Sequence, residues 1–135
     1  MANYQSQSRS NYFPFLKPQL DLIEELFGLD IQLSFKNNMV AIISRCPFTP
    51  SVFDPPIELL EELGVPNADN VDDVSLLDVI HHALPPDTSL VWVEVGHEKA
   101  RYLIGQALRI DHTGQITQSI DLNNIYLEGE SRAEY

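Results

Sequence analysis

The chain has 135 residues, with 20 acidic and 8 basic side chains and a formal net charge of −12. This length is typical of one domain and argues against a two-domain enzyme with an interdomain cleft. The hydrophobic fraction of 44% is ordinary for a globular protein, which excludes a disordered acidic tail. The acidity disfavours direct binding to nucleic acid, because that binding depends on Lys and Arg.

A single cysteine, Cys46, cannot form an intramolecular disulfide or supply a multi-cysteine zinc site. The polar N-terminal sequence lacks an apolar signal core, and no apolar stretch approaches the roughly 18 to 20 residues that span a bilayer. We therefore expect a cytoplasmic protein with no membrane contact.

The first half of the chain predicts a helix and a hairpin. Residues 1–10 are polar without apolar periodicity and are expected to be a flexible N-terminus. Apolar residues spaced by three and four predict a helix over 17–27, which ends at Gly28. Residues 30–35 alternate, and 39–44 form an apolar run beyond Asn37 and Asn38, which indicates a β-hairpin.

The second half predicts helices and then strands. Residues 46–74 contain five prolines and leave room for one short helix over 57–63, which stops at Gly64. A further helix is predicted over 75–84, with Ser75 as its cap. Strands over 90–95, 102–110 and 116–122, with turns at 96–99 and 112–115, predict an antiparallel meander.

These elements predict an α+β fold, in which two or three helices pack on one face of an antiparallel sheet of about five strands. A single domain is expected over residues 11–127, followed by a flexible tail over 128–135.

The acidic residues are concentrated in one segment. Residues 46–98 contain no Lys or Arg but eleven Asp and Glu. Ordinary surfaces mix both signs, although a charge run also serves solubility alone. As a candidate partner-binding surface, the segment offers Asp54, Glu58, Glu61, Glu62, Asp69, Asp72, Asp73 and Asp78.

The strand region 94–105 is an alternative contact site, with Glu94, Glu98, Lys99 and Arg101 as its candidate residues. Strand alternation places Lys99 and Arg101 on an exposed face. Arg109 belongs to the same basic group, and we expect these bases to pair across the sheet with Glu94 or Asp121.

Catalytic and metal-binding signals are weak. His97 beside Glu98 suggests an acid-base pair, but no nucleophile elbow, zinc motif or phosphate loop accompanies it. His81 and His82 are adjacent on a predicted helix, so they point in different directions and lack a third ligand. We expect them to be placed favourably at a helix C-terminus. Cys46 is expected to be buried and structural, and no catalytic residue, metal or cofactor is predicted.

A resemblance adds a genomic context. Asn11-Tyr12-Phe13 and the sequence EVGHEKARYLIG over 94–105 resemble small acidic proteins of plasmids, phages and other mobile elements, which share an N-Y-F start and an E-V-G-x-E-K-x-R-Y-L-x-G ending. The chain is also similar in size and charge to anti-restriction and anti-CRISPR proteins that occupy the nucleic-acid grooves of host enzymes. That similarity implies an inhibitor with a basic protein partner.

Three functions follow as hypotheses. The first is a non-enzymatic inhibitor that covers a basic nucleic-acid-binding surface of a host nuclease complex through its acidic segment. The second is a regulatory or accessory protein that binds a protein partner through residues 94–105. The third is an enzyme that uses His97 and Glu98.

Overall fold

The computed structural model of the chain describes residues 5–46, 49–98 and 102–121. This part folds as α+β, with a six-stranded antiparallel sheet, a two-stranded sheet and three α-helices. The six strands are β1 (Gln5–Ser10), β2 (Ile31–Lys36), β3 (Met39–Ser44), β6 (Ser89–Glu98), β7 (Tyr102–Asp111) and β8 (Ile116–Asp121). The short strands β4 (Ser51–Phe53) and β5 (Asp73–Ser75) form the second sheet, and the helices are α1 (Lys17–Phe27), α2 (Ile57–Leu63) and α3 (Leu76–Val79).

The order of strands in the large sheet is β2-β3-β1-β6-β7-β8. The predicted β2–β3 hairpin and the β6–β7–β8 meander are both confirmed, and β1 joins them. Asn37 and Asn38 both have positive φ, which gives the tight two-residue turn whose twist suits a hairpin. Strand β6 continues to Glu98, so the turn predicted to begin at Gly96 was placed too early.

The prediction that residues 1–10 are a flexible N-terminus was wrong for residues 5–10, which form the central strand β1. Its polar sequence is compatible with burial because its hydroxyl groups have partners. Ser10 Oγ accepts a hydrogen bond from the Ile42 N–H at 2.9 Å and donates to the Asn11 carbonyl at 2.8 Å. The small Ser10 also lies directly opposite the large, buried Trp92. The predicted tail over 128–135 lies outside the described residues.

The two faces of the large sheet differ. One face, which we call the core face, carries Val40, Ile42, Leu90, Trp92 and Ile110, all buried. The buried side chains of the three helices join these residues in one apolar cluster. The other face, the open face, carries Ile43, Val93, Val95, Ala107 and Ile120.

The helices begin and end close to the predicted positions. Helix α1 buries its apolar stripe of Leu20, Ile23, Leu26 and Phe27, as the spacing predicted. Helix α2 ends at Gly64, whose N–H donates to the carbonyls of Leu60 and Glu61. The helix predicted over 75–84 is α-helical only through Val79 and continues as a 3-10 turn over Ile80–Ala83.

Candidate partner-binding surface

All eight acidic residues predicted as a partner-binding surface are exposed. They occur on α2, on α3, on the loops beside α2 and around the β4–β5 sheet, in the helical layer that covers the core face. We call this set the acidic surface: Asp54, Glu58, Glu61, Glu62, Asp69, Asp72, Asp73 and Asp78.

The amphipathic pattern of α2 points three carboxylates outward. Leu60 and Leu63 are buried in the core cluster, whereas Glu58, Glu61 and Glu62 occupy exposed positions of the same helix. Burial of the two leucines fixes the rotation of the helix about its axis, so the glutamates are held on the outer side by the apolar packing.

The β4–β5 sheet brings together three acidic residues that are distant in sequence. Asp73 lies directly opposite Phe53, and the Asp54 N–H donates to the Asp72 carbonyl at 2.8 Å. Asp54 adopts a positive φ of 49°, a conformation that Asp tolerates better than most residues. This pairing places Asp54, Asp72 and Asp73 at one end of the short sheet.

A shallow groove of about 490 Å³ runs between α2 and a 3-10 turn over Ala68–Asn70. Its apolar lining comes from Ile57, Val65 and Ala68, and its charged lining comes from Glu61 and Asp69. Gly64 and Asn67 complete a lining that combines polar and apolar groups.

Phe53 was missed as a candidate residue, although it is 77% exposed at the end of β4. It lies directly opposite Asp73 in the β4–β5 pair, and Asp54 follows it in the sequence. Its neighbour Val52 packs against the core cluster, so strand alternation turns Phe53 outward. An exposed aromatic ring among carboxylates is more typical of a protein-binding surface than of a merely solubilising one.

Asp78 is exposed, but its carboxylate also helps to cap helix α3. Its carboxylate accepts a hydrogen bond from the Ser75 N–H at 3.0 Å, while Ser75 Oγ accepts from the Leu77 N–H at 3.3 Å. Together these contacts cap the N-terminus of α3, as Ser75 was predicted to do. Substituting Asp78 would therefore mix a folding effect with any binding effect.

Three of the eight basic side chains lie on the other side of the large sheet. The register places Arg9 opposite Val93, Arg109 opposite Val91 and Lys36 opposite Met39, all on the open face. The Arg9 guanidinium lies 5.9 Å from the centre of the Tyr12 ring. The fold thus separates the acidic surface from these three bases by the thickness of the sheet.

The alternative contact region is divided between the two faces. Glu94 lies on the core face, where its carboxylate accepts hydrogen bonds from Ser8 Oγ at 3.2 Å and Thr49 Oγ1 at 3.4 Å. Val95 lies on the open face and is 53% exposed. The side chain of Glu98, like that of His97, lies outside the described side chains, as do residues Lys99 and Arg101.

The pairing of Arg109 with Glu94 or Asp121 is wrong, because the register places those two acids on the core face. Arg109 instead donates from Nε to Gln118 at 3.1 Å and from a terminal nitrogen to Ser89 Oγ at 3.0 Å. Both partners are uncharged and lie on the same face as the guanidinium.

His81 and His82 stack on each other, with ring centroids 4.0 Å apart. Both residues belong to the 3-10 turn over Ile80–Ala83. Burial lowers the pKa of His81, although Asp111 and Asp78 act in the opposite direction. Burial and the neighbouring His81 also lower the pKa of His82. Both histidines lie in the last turn of this helical segment, as predicted, but burial disfavours their cationic forms there.

Cys46 is half-buried rather than fully buried, and burial followed by the nearby Asp30 raises the pKa of its thiol. A raised pKa disfavours the thiolate that a nucleophile needs. Within the described residues, no group of three or more His, Cys, Asp or Glu side chains is placed to hold a metal ion. No helix in this part of the chain is long and apolar enough to cross a membrane.

Comparison with known proteins adds no relative: no family model, curated protein or solved structure matches this chain.

Proposed function

We propose that this chain is a non-enzymatic inhibitor of the anti-restriction or anti-CRISPR type. It occupies a basic nucleic-acid-binding surface of a host nuclease complex in the cytoplasm. The observation that carries the proposal is the acidic surface: eight exposed carboxylates on one layer of the fold, drawn from a segment without Lys or Arg. The resemblance to small acidic proteins of mobile elements, a family without an assigned activity, supplies only a genomic context in which such an inhibitor would occur.

The physical basis is the competition between carboxylates and phosphates for one basic groove. Such a groove binds nucleic acid largely through its Lys and Arg side chains. Carboxylates held on a packed helix present a similar pattern of negative charge at fixed positions. Complementary charge accelerates encounter most at low ionic strength, and the attraction weakens as the Debye length falls to about 8 Å at physiological salt.

The test compares two double variants that change the net charge equally. Glu58→Lys with Glu62→Lys alters the acidic surface, and Glu24→Lys with Glu25→Lys alters the exposed side of α1. Each tagged protein is incubated with a lysate from bacteria that contain restriction and CRISPR nucleases. Captured nuclease is then eluted with duplex DNA or with salt.

We expect the wild type and the α1 variant to capture a nuclease that DNA displaces. The α2 variant should capture at least about tenfold less, because reversed charges repel a basic groove. Thermal midpoints of both variants should stay near that of the wild type. Equal capture by the two variants, or capture that DNA does not displace, contradicts the proposal.

A second candidate function is an accessory protein that binds its partner through residues 94–105 and the adjoining open face of β7 and β8. Two exposed apolar side chains on this face favour it: Val95 is 53% exposed and Ile120 is 64% exposed. Replacing both with Ser should abolish partner capture under this alternative, while Glu58→Lys with Glu62→Lys should leave capture intact. If the Ser variant keeps partner capture and Glu58→Lys with Glu62→Lys abolishes it, the acidic surface is favoured as the contact site.

A further inference from the structure

Two large apolar side chains are exposed within the acidic surface. Phe53 is 77% exposed and Ile57, the first residue of α2, is 43% exposed. Both belong to the segment that lacks Lys and Arg. Charge alone does not require them, since a surface that only mimics phosphates gains nothing from exposing an aromatic ring to water.

The groove next to α2 adds a concave site of mixed character. Ile57, Val65 and the buried Ala68 give it apolar contacts, whereas Glu61, Asp69 and Asn67 make much of its lining polar. Ala68 is part of the core cluster, so packed elements form this part of the groove before any partner arrives.

Charge complementarity decides the kind of occupant. The charged side chains that line the groove are both carboxylates, and the residues that follow Phe53 and face it across β5 are also acidic. An acidic or neutral apolar segment would leave these carboxylates desolvated without a counter-charge, which is costly. A segment with Lys or Arg beside its apolar residues satisfies both parts of the site.

We propose that the α2 groove and Phe53 dock a cationic amphipathic segment of the partner protein. One apolar side chain of that segment enters the groove, Phe53 packs against a second apolar residue, and flanking Lys or Arg side chains face Glu61, Asp69 and Asp73. This inference rests on the proposed function and specifies the partner chemistry: the basic surface that the protein covers contains apolar residues among its bases.

The probes are two fluorescein-labelled synthetic peptides with the same number and spacing of Lys residues. The amphipathic peptide carries Leu on one helical face, and the control peptide carries Ser at those positions. Fluorescence anisotropy gives the affinity of each peptide for the full chain, at low and at high salt. The variants are Phe53→Ser with Ile57→Ser, Phe53→Ser alone, and Leu29→Ser as the matched control, since Leu29 is 88% exposed outside the acidic surface.

We expect the wild type and the Leu29 variant to bind the amphipathic peptide about tenfold more tightly than the Ser peptide. The double variant should lose this preference but keep its affinity for the Ser peptide, and Phe53→Ser alone should lose part of it. Circular dichroism confirms that each variant is folded. Equal affinity of the wild type for both peptides, or an unchanged preference in the double variant, overturns the inference.

The result also separates this inference from the proposed function. The wild type could bind both peptides with equal affinity, and salt and Glu58→Lys with Glu62→Lys could weaken that binding. This outcome refutes the apolar docking but leaves the proposed function standing. Failure of the wild type to bind either peptide refutes both proposals, because the acidic surface then attracts no cationic partner.

Discussion

Gly114, in the turn between β7 and β8, is the position where we expect a single methyl group to be most costly. Its φ of +92° is unfavourable for a residue with a Cβ, and that Cβ would lie 3.0 Å from Cε1 and 3.1 Å from Nδ1 of His81. The ring cannot move away freely, because it stacks on His82. Gly114→Ala therefore combines backbone strain with overpacking against an imidazole.

Gly64 provides a matched control that isolates the backbone strain of a positive φ from the steric clash with His81. Its φ of +93° is almost the same, but its Cβ would lie 3.9 Å from the His82 ring, an ordinary contact. A left-handed conformation costs a non-glycine residue about 1–2 kcal/mol, of which about 0.4–1 kcal/mol is offset by reduced entropy of the unfolded chain. We expect Gly64→Ala to destabilise by about 1 kcal/mol.

Overpacking adds about 1–3 kcal/mol at Gly114, so Gly114→Ala should destabilise by about 2–4 kcal/mol. Urea unfolding followed by circular dichroism measures both variants. In a His81→Ala background the methyl group has room, and Gly114→Ala should then cost only about as much as Gly64→Ala. Equal costs for Gly64→Ala and Gly114→Ala in the wild-type background would show that His81 does not confine this turn.

Three further predictions concern stability, each measured by urea unfolding. Folding lowers the pKa of His81 and His82, so their contribution to the free energy of unfolding is complete above about pH 6.5 and is lost as the pH falls below it. The variant His81→Gln with His82→Gln should lose less stability on acidification than the wild type, and an equal loss contradicts this prediction. Ser75→Ala removes the α3 cap and should cost about 0.5–2 kcal/mol, whereas no cost would make the cap dispensable. Ser10→Ala leaves the buried Ile42 N–H without its acceptor and should cost about 1–3 kcal/mol, whereas Ser51→Ala on an exposed strand should be nearly neutral.

The sequence predicts those helices and strands in which the spacing of the apolar residues matches the pattern of buried positions. Helix α1 repeats its apolar residues at helical spacing, and the β2–β3 hairpin combines alternation with an Asn-Asn turn, so both are confirmed. Strand β1 escapes this reasoning because Ser8 and Ser10 are polar and yet buried. Their burial depends on partners far along the chain, Glu94 and the Ile42 N–H, which a local pattern does not reveal.

The same distinction holds for the candidate site. The position of the acidic segment follows from counting charges, and the exposure of Glu58, Glu61 and Glu62 follows from the apolar stripe of α2. Phe53 does not stand out, because a three-residue strand in a proline-rich stretch is too short to establish an alternation. The histidine stack also depends on tertiary contacts, since His81 packs against a glycine of a distant hairpin.

The proposed docking of a cationic amphipathic segment leads to a kinetic prediction, because carboxylates and apolar side chains would act on different rate constants. Exposed carboxylates at the margin of an interface act mainly on encounter, whereas a desolvated apolar anchor acts mainly on the lifetime of the complex. With the amphipathic peptide in stopped-flow fluorescence, Glu58→Lys with Glu62→Lys should slow association about tenfold and change dissociation little. Phe53→Ser should accelerate dissociation about tenfold and leave association nearly unchanged. If instead both variants alter the same rate constant by the same factor, the carboxylates and the aromatic ring contribute to the same kinetic step. The assignment of the carboxylates to association and of Phe53 to dissociation is then wrong.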